Sequence, residues 1–277
     1  MNYAELYSNL PNISIMEVLS LFFLIIMRIA PSLVLAPFFG AKLAPGIARM
    51  GLAICVATIF LPFISIKTTA PVGFSNAYIF YALKEILVGL ILGFFITVPF
   101  YMVQTAGTII DYLRGASIMQ AQDPSMQTQT SPIGILFNYI LIVIFFQIDG
   151  PFLFFDALMK SYELIPPDKL INPAFLSIKS GFWKITFDLV NQIVTIAIQL
   201  AAPALVAILM AEMFLGIANR LAPQVQIAFL GMSIKSLLGL GLLFAAWYFI
   251  LKQFTKQGYN WLELLNKLIY SMQGLNP

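Results

Sequence analysis

The stretch between Glu85 and Asp111 contains 25 consecutive residues without a charge. As a helix it reaches about 37 Å at ~1.5 Å per residue, enough to cross a hydrocarbon core about 30 Å thick. Other uncharged or nearly uncharged segments run over 15–39, 50–66, 133–148, 189–211 and 236–251. A further apolar piece, 221–234, is too short to cross alone. Six hydrophobic helices and one doubtful segment are therefore predicted. Composition agrees: 60% of residues are hydrophobic and 10% charged, against about 45–50% and 25% in soluble domains. The chain reads as all-α and polytopic, a multi-span membrane protein. Without an internal repeat or low-complexity linker, residues 1–277 read as a single domain.

Several of the predicted helices are interrupted, by Pro31, Pro37, Pro62, Pro99 and Pro203. Proline frees a carbonyl and kinks a helix, which membranes tolerate only where neighbours satisfy the backbone. The first basic residue is Arg28, so an N-terminal secretory signal is not expected. Nine lysines in the even-numbered loops and tail face five basic residues in the odd-numbered loops, a weak preference for cytoplasmic ends.

Chemistry is limited by what is missing. There is no histidine and one cysteine, Cys55. This excludes histidine-based hydrolysis, zinc proteolysis and proton shuttling, and internal disulfides. Nucleotide, metal and nucleophile motifs are absent, and no basic run could track a nucleic acid. The expectation is a non-enzyme without cofactor or metal and without nucleic-acid binding.

The segment Asp111–Pro132 differs most from the rest. It combines Arg114, Gly115, Met119, Gln120, Gln122, Asp123, Met126, Gln127 and Gln129. Asp111 and Arg114 are spaced to pair on a helix, Gly115 allows a tight turn, and Asp123-Pro124 a break. Two readings stand level: a solvent loop between spans, or a loop lining or plugging a pore. Methionines repack against varied surfaces, and glutamines keep a path wet without holding charge.

Charges in apolar stretches usually mark a partner or a pathway. Glu17 and Arg28 lie about 16 Å apart along a helix, and Glu212 and Arg220 about 12 Å, so neither couple pairs internally. Each of the four then needs a partner on another helix or chain, although Arg28 and Arg220 can snorkel at span ends. A buried partner is expected for Glu212. Gly89 and Gly93 form a weak GxxxG signal for close helix approach, and Cys55 reads as a small buried hydrophobe. Residues 252–272 are amphipathic, with Phe254, Trp261, Leu265, Leu268 and Met272 near one face. They read as a helix on the membrane surface or against a partner.

Three stretches together resemble the SctT/FliR export-apparatus proteins of bacterial type III secretion systems. The first runs from Gly107 through Asp111, Arg114 and Gly115 to Ser117. The second holds Phe145-Phe146, Asp149-Gly150, Ala157-Leu158, Ser161-Tyr162 and Pro166. The third holds Ala202-Pro203, Glu212, Gly216, Asn219-Arg220, Ala222-Pro223-Gln224 and Met232-Ser233-Ile234-Lys235-Ser236. Departures are Ser233 for a usual proline, Gln226 for asparagine, and Asp149-Gly150 for paired glycines. Ser161-Tyr162 and Ile234-Lys235-Ser236 look more like the injectisome branch than the flagellar one.

The resemblance implies an inner-membrane subunit of the export gate, its helices arranged as hairpins in a helical assembly. Its partners would be SctR/FliP-like and SctS/FliQ-like gate subunits, an SctU/FlhB-like switch protein and an SctV/FlhA-like export protein. Its cargo would be unfolded exported proteins. By position, the family's plug corresponds to Arg114–Gln129, with Met119 and Met126 sealing. Asp111, Glu212, Arg220 and Lys235 would hold subunit contacts or a lower gate. The rival reading is a small-solute or ion secondary transporter using Glu212 and Asp111, which should bind solute near the midplane.

Overall fold

A computed structural model describes residues 14–39, 45–68, 73–115, 131–170, 181–221 and 227–271. Among the described residues the chain forms eight α-helices and one short 3-10 turn, with no strand. The helices are α1 (Ile15–Leu35), α2 (Gly46–Lys67), α3 (Asn76–Leu113), α4 (Pro132–Gln147), α5 (Gly150–Leu164), α6 (Gly181–Leu221), α7 (Ile227–Ala245) and α8 (Trp247–Ser271). Four are long and apolar enough to cross a membrane, or up to six if each broken pair (α4 with α5, α7 with α8) counts as one span. The all-α, polytopic expectation holds.

Local chemistry explains the helix ends. The Ser14 hydroxyl accepts from the Glu17 N–H and the Glu17 carboxylate accepts from the Ser14 N–H, a reciprocal cap that starts α1. Glu17 thus needs no partner on another helix or chain, contrary to the sequence reading. The S-x-x-E spacing of Ser14 and Glu17 is the local sequence pattern of such a cap. Helix α1 stops at Leu35, with Ala36 extended before Pro37. Helix α4 starts with Ser131 as its cap and Pro132 in its first turn.

Three expected boundaries are corrected. The region after residue 148, outside every predicted span, contains α5, whose buried Phe154, Ala157, Leu158, Ser161 and Tyr162 form a helical stripe. Helix α6 begins at Gly181 rather than near 189 and reaches Leu221, carrying the charged Lys184 and Asp188 within it. The last predicted span, 236–251, is two helices bent by 63° at Ala245-Ala246. Part of the doubtful 221–234 segment belongs to α7.

The chain divides into two compact units. Unit 1 comprises 1–98, 149–188 and 261–277, and unit 2 comprises 99–148 and 189–260. Each is discontinuous in sequence, the chain passing between them four times.

In unit 1, α3 lies against α1 through the glycines of the GxxxG. A Cβ at Gly89 would stand 2.2 Å from the Arg28 carbonyl oxygen, and one at Gly93 3.0 Å from the Ser32 Cα. Backbone contact as close as that at Gly89 admits only glycine, and Gly93 has little room for more, so the weak signal marks a true crossing. Phe38 of the 3-10 turn packs edge-on against Phe154 of α5. Cys55 is exposed, not buried. Helix α2 is apolar on every side and packs its Ala53, Val56 and Phe60 face inward, leaving Cys55 on the other.

In unit 2, α3 and α4 meet at a second glycine pair, where a Cβ on Gly107 would stand 2.4 Å from the Gly134 nitrogen. Phe100 stacks edge-on with Phe145, and Phe137 with Phe254 of α8. Phe254 is fully buried, so this part of the C-terminal amphipathic segment docks on its own chain. The helix also starts at Trp247, five residues earlier than read. The side chains of Leu265 and Leu268, and Met272 altogether, lie outside the described residues.

Candidate functional site

Two ionic constellations organise the units. In unit 1, Arg28 is wholly buried in α1. Its Nε and Nη2 donate to the two carboxylate oxygens of Glu85 at 2.5 and 2.8 Å, a two-pronged pair. Nη1 donates to the Ser161 hydroxyl at 3.0 Å and Nη2 also to the Ile165 carbonyl at 2.7 Å. The guanidinium lies 4.0 Å from the centre of the Tyr162 ring, a cation–π contact. Tyr162 in turn donates to the Ile25 carbonyl. Lys84 donates to the carbonyls of Pro166, Pro167 and Lys169 and pairs with Glu85 at 2.6 Å. The two cations therefore hold the carbonyls just beyond the end of α5, which have no helical donors of their own.

Snorkelling of Arg28 is overturned. It sits in the middle of α1 rather than at its end, and a charge there is tolerable only when fully paired. In the sequence Glu85 only marks the start of the longest uncharged run, and nothing there pairs it with Arg28. Two adjacent charges flanking the longest uncharged run were the available signal.

In unit 2, Asp111 lies in the last turn of α3 with both carboxylate oxygens engaged. Oδ1 accepts from Arg114 Nε at 2.7 Å and Nη2 at 2.6 Å, the expected i,i+3 pair. Oδ2 accepts from the Ser131 hydroxyl and from the Ile133 N–H at 2.9 Å. Ser131 in turn caps α4 by accepting from the Gly134 N–H. A carboxylate at a helix N-terminus is also favoured by the helix dipole. Gly115 has φ +83°, the left-handed geometry that closes a helix. Asp111 thus ties Arg114, at the end of α3, to Ser131, at the start of α4. Arg114 extends a weaker contact to Ser236 at 3.4 Å. The remaining sequence-predicted plug residues, Met119, Gln120, Gln122, Asp123, Met126, Gln127 and Gln129, lie outside the described residues.

Glu212 of α6 and Lys235 of α7 pair at 2.5 Å. The structure brings together two residues selected separately, but the Glu212 side chain is 42% exposed, so the buried partner expected for it is not found. A face of α6 open to its surroundings accounts for this: Met210, Met213, Phe214 and Ile217 are exposed too. Arg220 is exposed in the last turn of α6, without an ion pair among the described residues. Asp111 and Glu212, the couple proposed for a solute site, are each committed to a partner within the chain.

The profile of bacterial export proteins, family 1, matches residues 19–260. The chain is 38% identical over 154 residues to Yop proteins translocation protein T of Yersinia pestis, 55% of this chain and 57% of that protein. It is 32% identical over 222 residues to surface presentation of antigens protein SpaR of Salmonella typhimurium, 80% of either. It is also 29% identical over 222 residues to flagellar biosynthetic protein FliR of Bacillus subtilis, 80% of this chain and 84% of that one. The match spans little more than half the length of the Yersinia relative. The Asp111–Arg114 clamp and the Ser161-Tyr162 pair that buries Arg28 both fall inside the matched range, and the chain belongs to the bacterial export proteins, family 1, the SctT/FliR family.

Proposed function

We propose that the chain is a structural and gating subunit of a type III secretion export gate in the bacterial inner membrane, of the injectisome branch. It forms and seals the conduit for unfolded proteins and carries out no chemistry of its own. The observation that carries the reading is the Asp111 clamp, which holds Arg114 and Ser131 on either side of the polar, Met- and Gln-rich segment 116–130. Fixed ends under an adaptable segment suit a plug that must yield to cargo and return.

Helix length supports assembly with other subunits. In unit 2, exposed apolar side chains recur along α6 from Val190 to Leu221, about 46 Å of helix against a core of about 30 Å. Lipid covers part of that stripe, and protein partners of the SctR/FliP-like and SctS/FliQ-like kinds cover the rest. SctU/FlhB-like and SctV/FlhA-like proteins complete the proposed apparatus. Glu212, Arg220 and Lys235 lie on or beside this stripe and are assigned to subunit contact or the lower gate. The single-domain reading is retained as a proposal, supported by the four passages of the chain between units.

The relatives named for Yop translocation and surface presentation of antigens support the injectisome branch. The transporter reading is dropped. Deleting Ala116–Gln129, which leaves the clamp residues in place, is expected to make the assembled gate conduct small ions in planar-bilayer recordings. Conductance equal to that of the intact gate would refute the plug.

A further inference from the structure

Unit 2 carries a groove of about 760 Å³ between the middle of α6 and the start of α8. Gln199 and Pro203 line one wall. Phe249, Lys252, Lys256 and Tyr259 line the other, and their spacing of three, four and three residues places them on one helical face. The face is graded: Phe249 is 71% exposed next to the bend, two exposed lysines follow, and half-exposed Tyr259 closes the row. No acidic residue lines the groove. Among the described residues neither lysine has an ion pair.

Three features select the occupant. An exposed phenylalanine beside an exposed proline asks for an apolar chain, whereas a free anion would leave both uncovered. Two unneutralised ammonium groups one helical turn apart ask for an anion, and basic clefts between membrane helices take anionic headgroups. Pro203 has no N–H, so the Gln199 carbonyl, on the same wall, loses its helical donor and is left as an acceptor. A headgroup bearing hydroxyls would supply that donor. The charge pattern agrees with the position, since the one lysine of α7 is followed by Lys252, Lys256, Glu263 and Lys267 in α8.

We infer that this groove binds one anionic phospholipid with a hydroxylated headgroup, of the phosphatidylglycerol kind. The acyl chain lies along Pro203 and Phe249, the phosphodiester sits between Lys252 and Lys256, and a headgroup hydroxyl donates toward Gln199. The inference rests on the multi-pass membrane character of the chain and is independent of the export reading.

The test is native mass spectrometry of the full chain, stripped of lipid and titrated with dioleoyl-phosphatidylglycerol or dioleoyl-phosphatidylcholine. Phosphatidylglycerol is expected to bind more tightly, and K252Q/K256Q to weaken it roughly thirtyfold, from the usual contribution of a surface lysine to anionic-lipid binding. K267Q, outside the groove, should change nothing. Equal binding of the two lipids, an unaffected double variant, or displacement by millimolar inorganic phosphate would overturn the assignment. Should the double variant fail to fold, a photoreactive residue at Phe249 in cells decides: a lipid adduct supports the site, and a protein adduct or none refutes it.

Discussion

Unit 1 and unit 2 each contain an arginine held by a carboxylate, and the two pairs differ in reach. Arg28 and Glu85 are 57 residues apart and gather α1, α3 and the end of α5 around one fully buried guanidinium. Asp111 and Arg114 are three residues apart, and the carboxylate's remaining lone pairs reach forward to Ser131 and Ile133. The first arrangement locks a core. The second joins the last turn of α3 to the start of α4. Burial is complete in the first, where both side chains are at 0% exposure, and nearly so in the second, at 6% for Asp111 and 13% for Arg114; a charge with no access to water depends wholly on its partners.

Breaking the core lock should therefore have the largest effect. Glu85→Ala leaves Arg28 and Lys84 without their carboxylate, a loss of about 3–5 kcal/mol, and detergent-solubilised protein should fail to accumulate or should melt far earlier. The double replacement Arg28→Met with Glu85→Leu should recover part of that loss, because only Lys84 is then left without its carboxylate instead of both cations. If the double variant is as unstable as the single one, the cluster contributes through packing and not through charge.

The clamp comes next. Asp111→Ala strands Arg114, the Ser131 hydroxyl and the Ile133 N–H, and a destabilisation of about 1.5–3 kcal/mol is expected. Hydrogen exchange should show it concentrated at the start of α4, with unit 1 unchanged. Uniform loss of protection across both units would mean that the clamp is part of the general core and not a local device.

The smallest stability effect belongs to Glu212→Gln, since partly exposed pairs contribute about 0–1 kcal/mol. Its melting temperature in detergent should hardly move. If Glu212 and Lys235 serve subunit contact, recovery of the partner-bound form should nevertheless fall. Unchanged recovery would confine the pair to α6–α7 packing.

The contrast also explains what was legible beforehand. The Asp111–Arg114 pair and the Gly115 turn depend on spacing within one helical turn, and sequence displays spacing. The Ser14–Glu17 cap has the same local character and was equally readable. The Arg28–Glu85 pair depends on how α1 and α3 cross, and the glycine pair that sets this crossing is common enough to carry little weight alone. The exposure of Cys55 has a related reason: α2 is apolar nearly all round, so no pattern along it says which side faces the rest of the unit.

From the sequence alone came the membrane character, the all-α class, the absence of histidine and cysteine chemistry, the family and the unusual segment after Asp111. All of these follow from composition, from uncharged runs, or from neighbours within a turn or a motif. Tertiary structure decided which charges are buried, that Glu212 and Lys235 meet, that α5 exists outside the predicted spans, and that the last span is bent. These depend on which faces approach one another, and a periodicity of 3.6 residues cannot encode that when nearly every face of a helix is apolar.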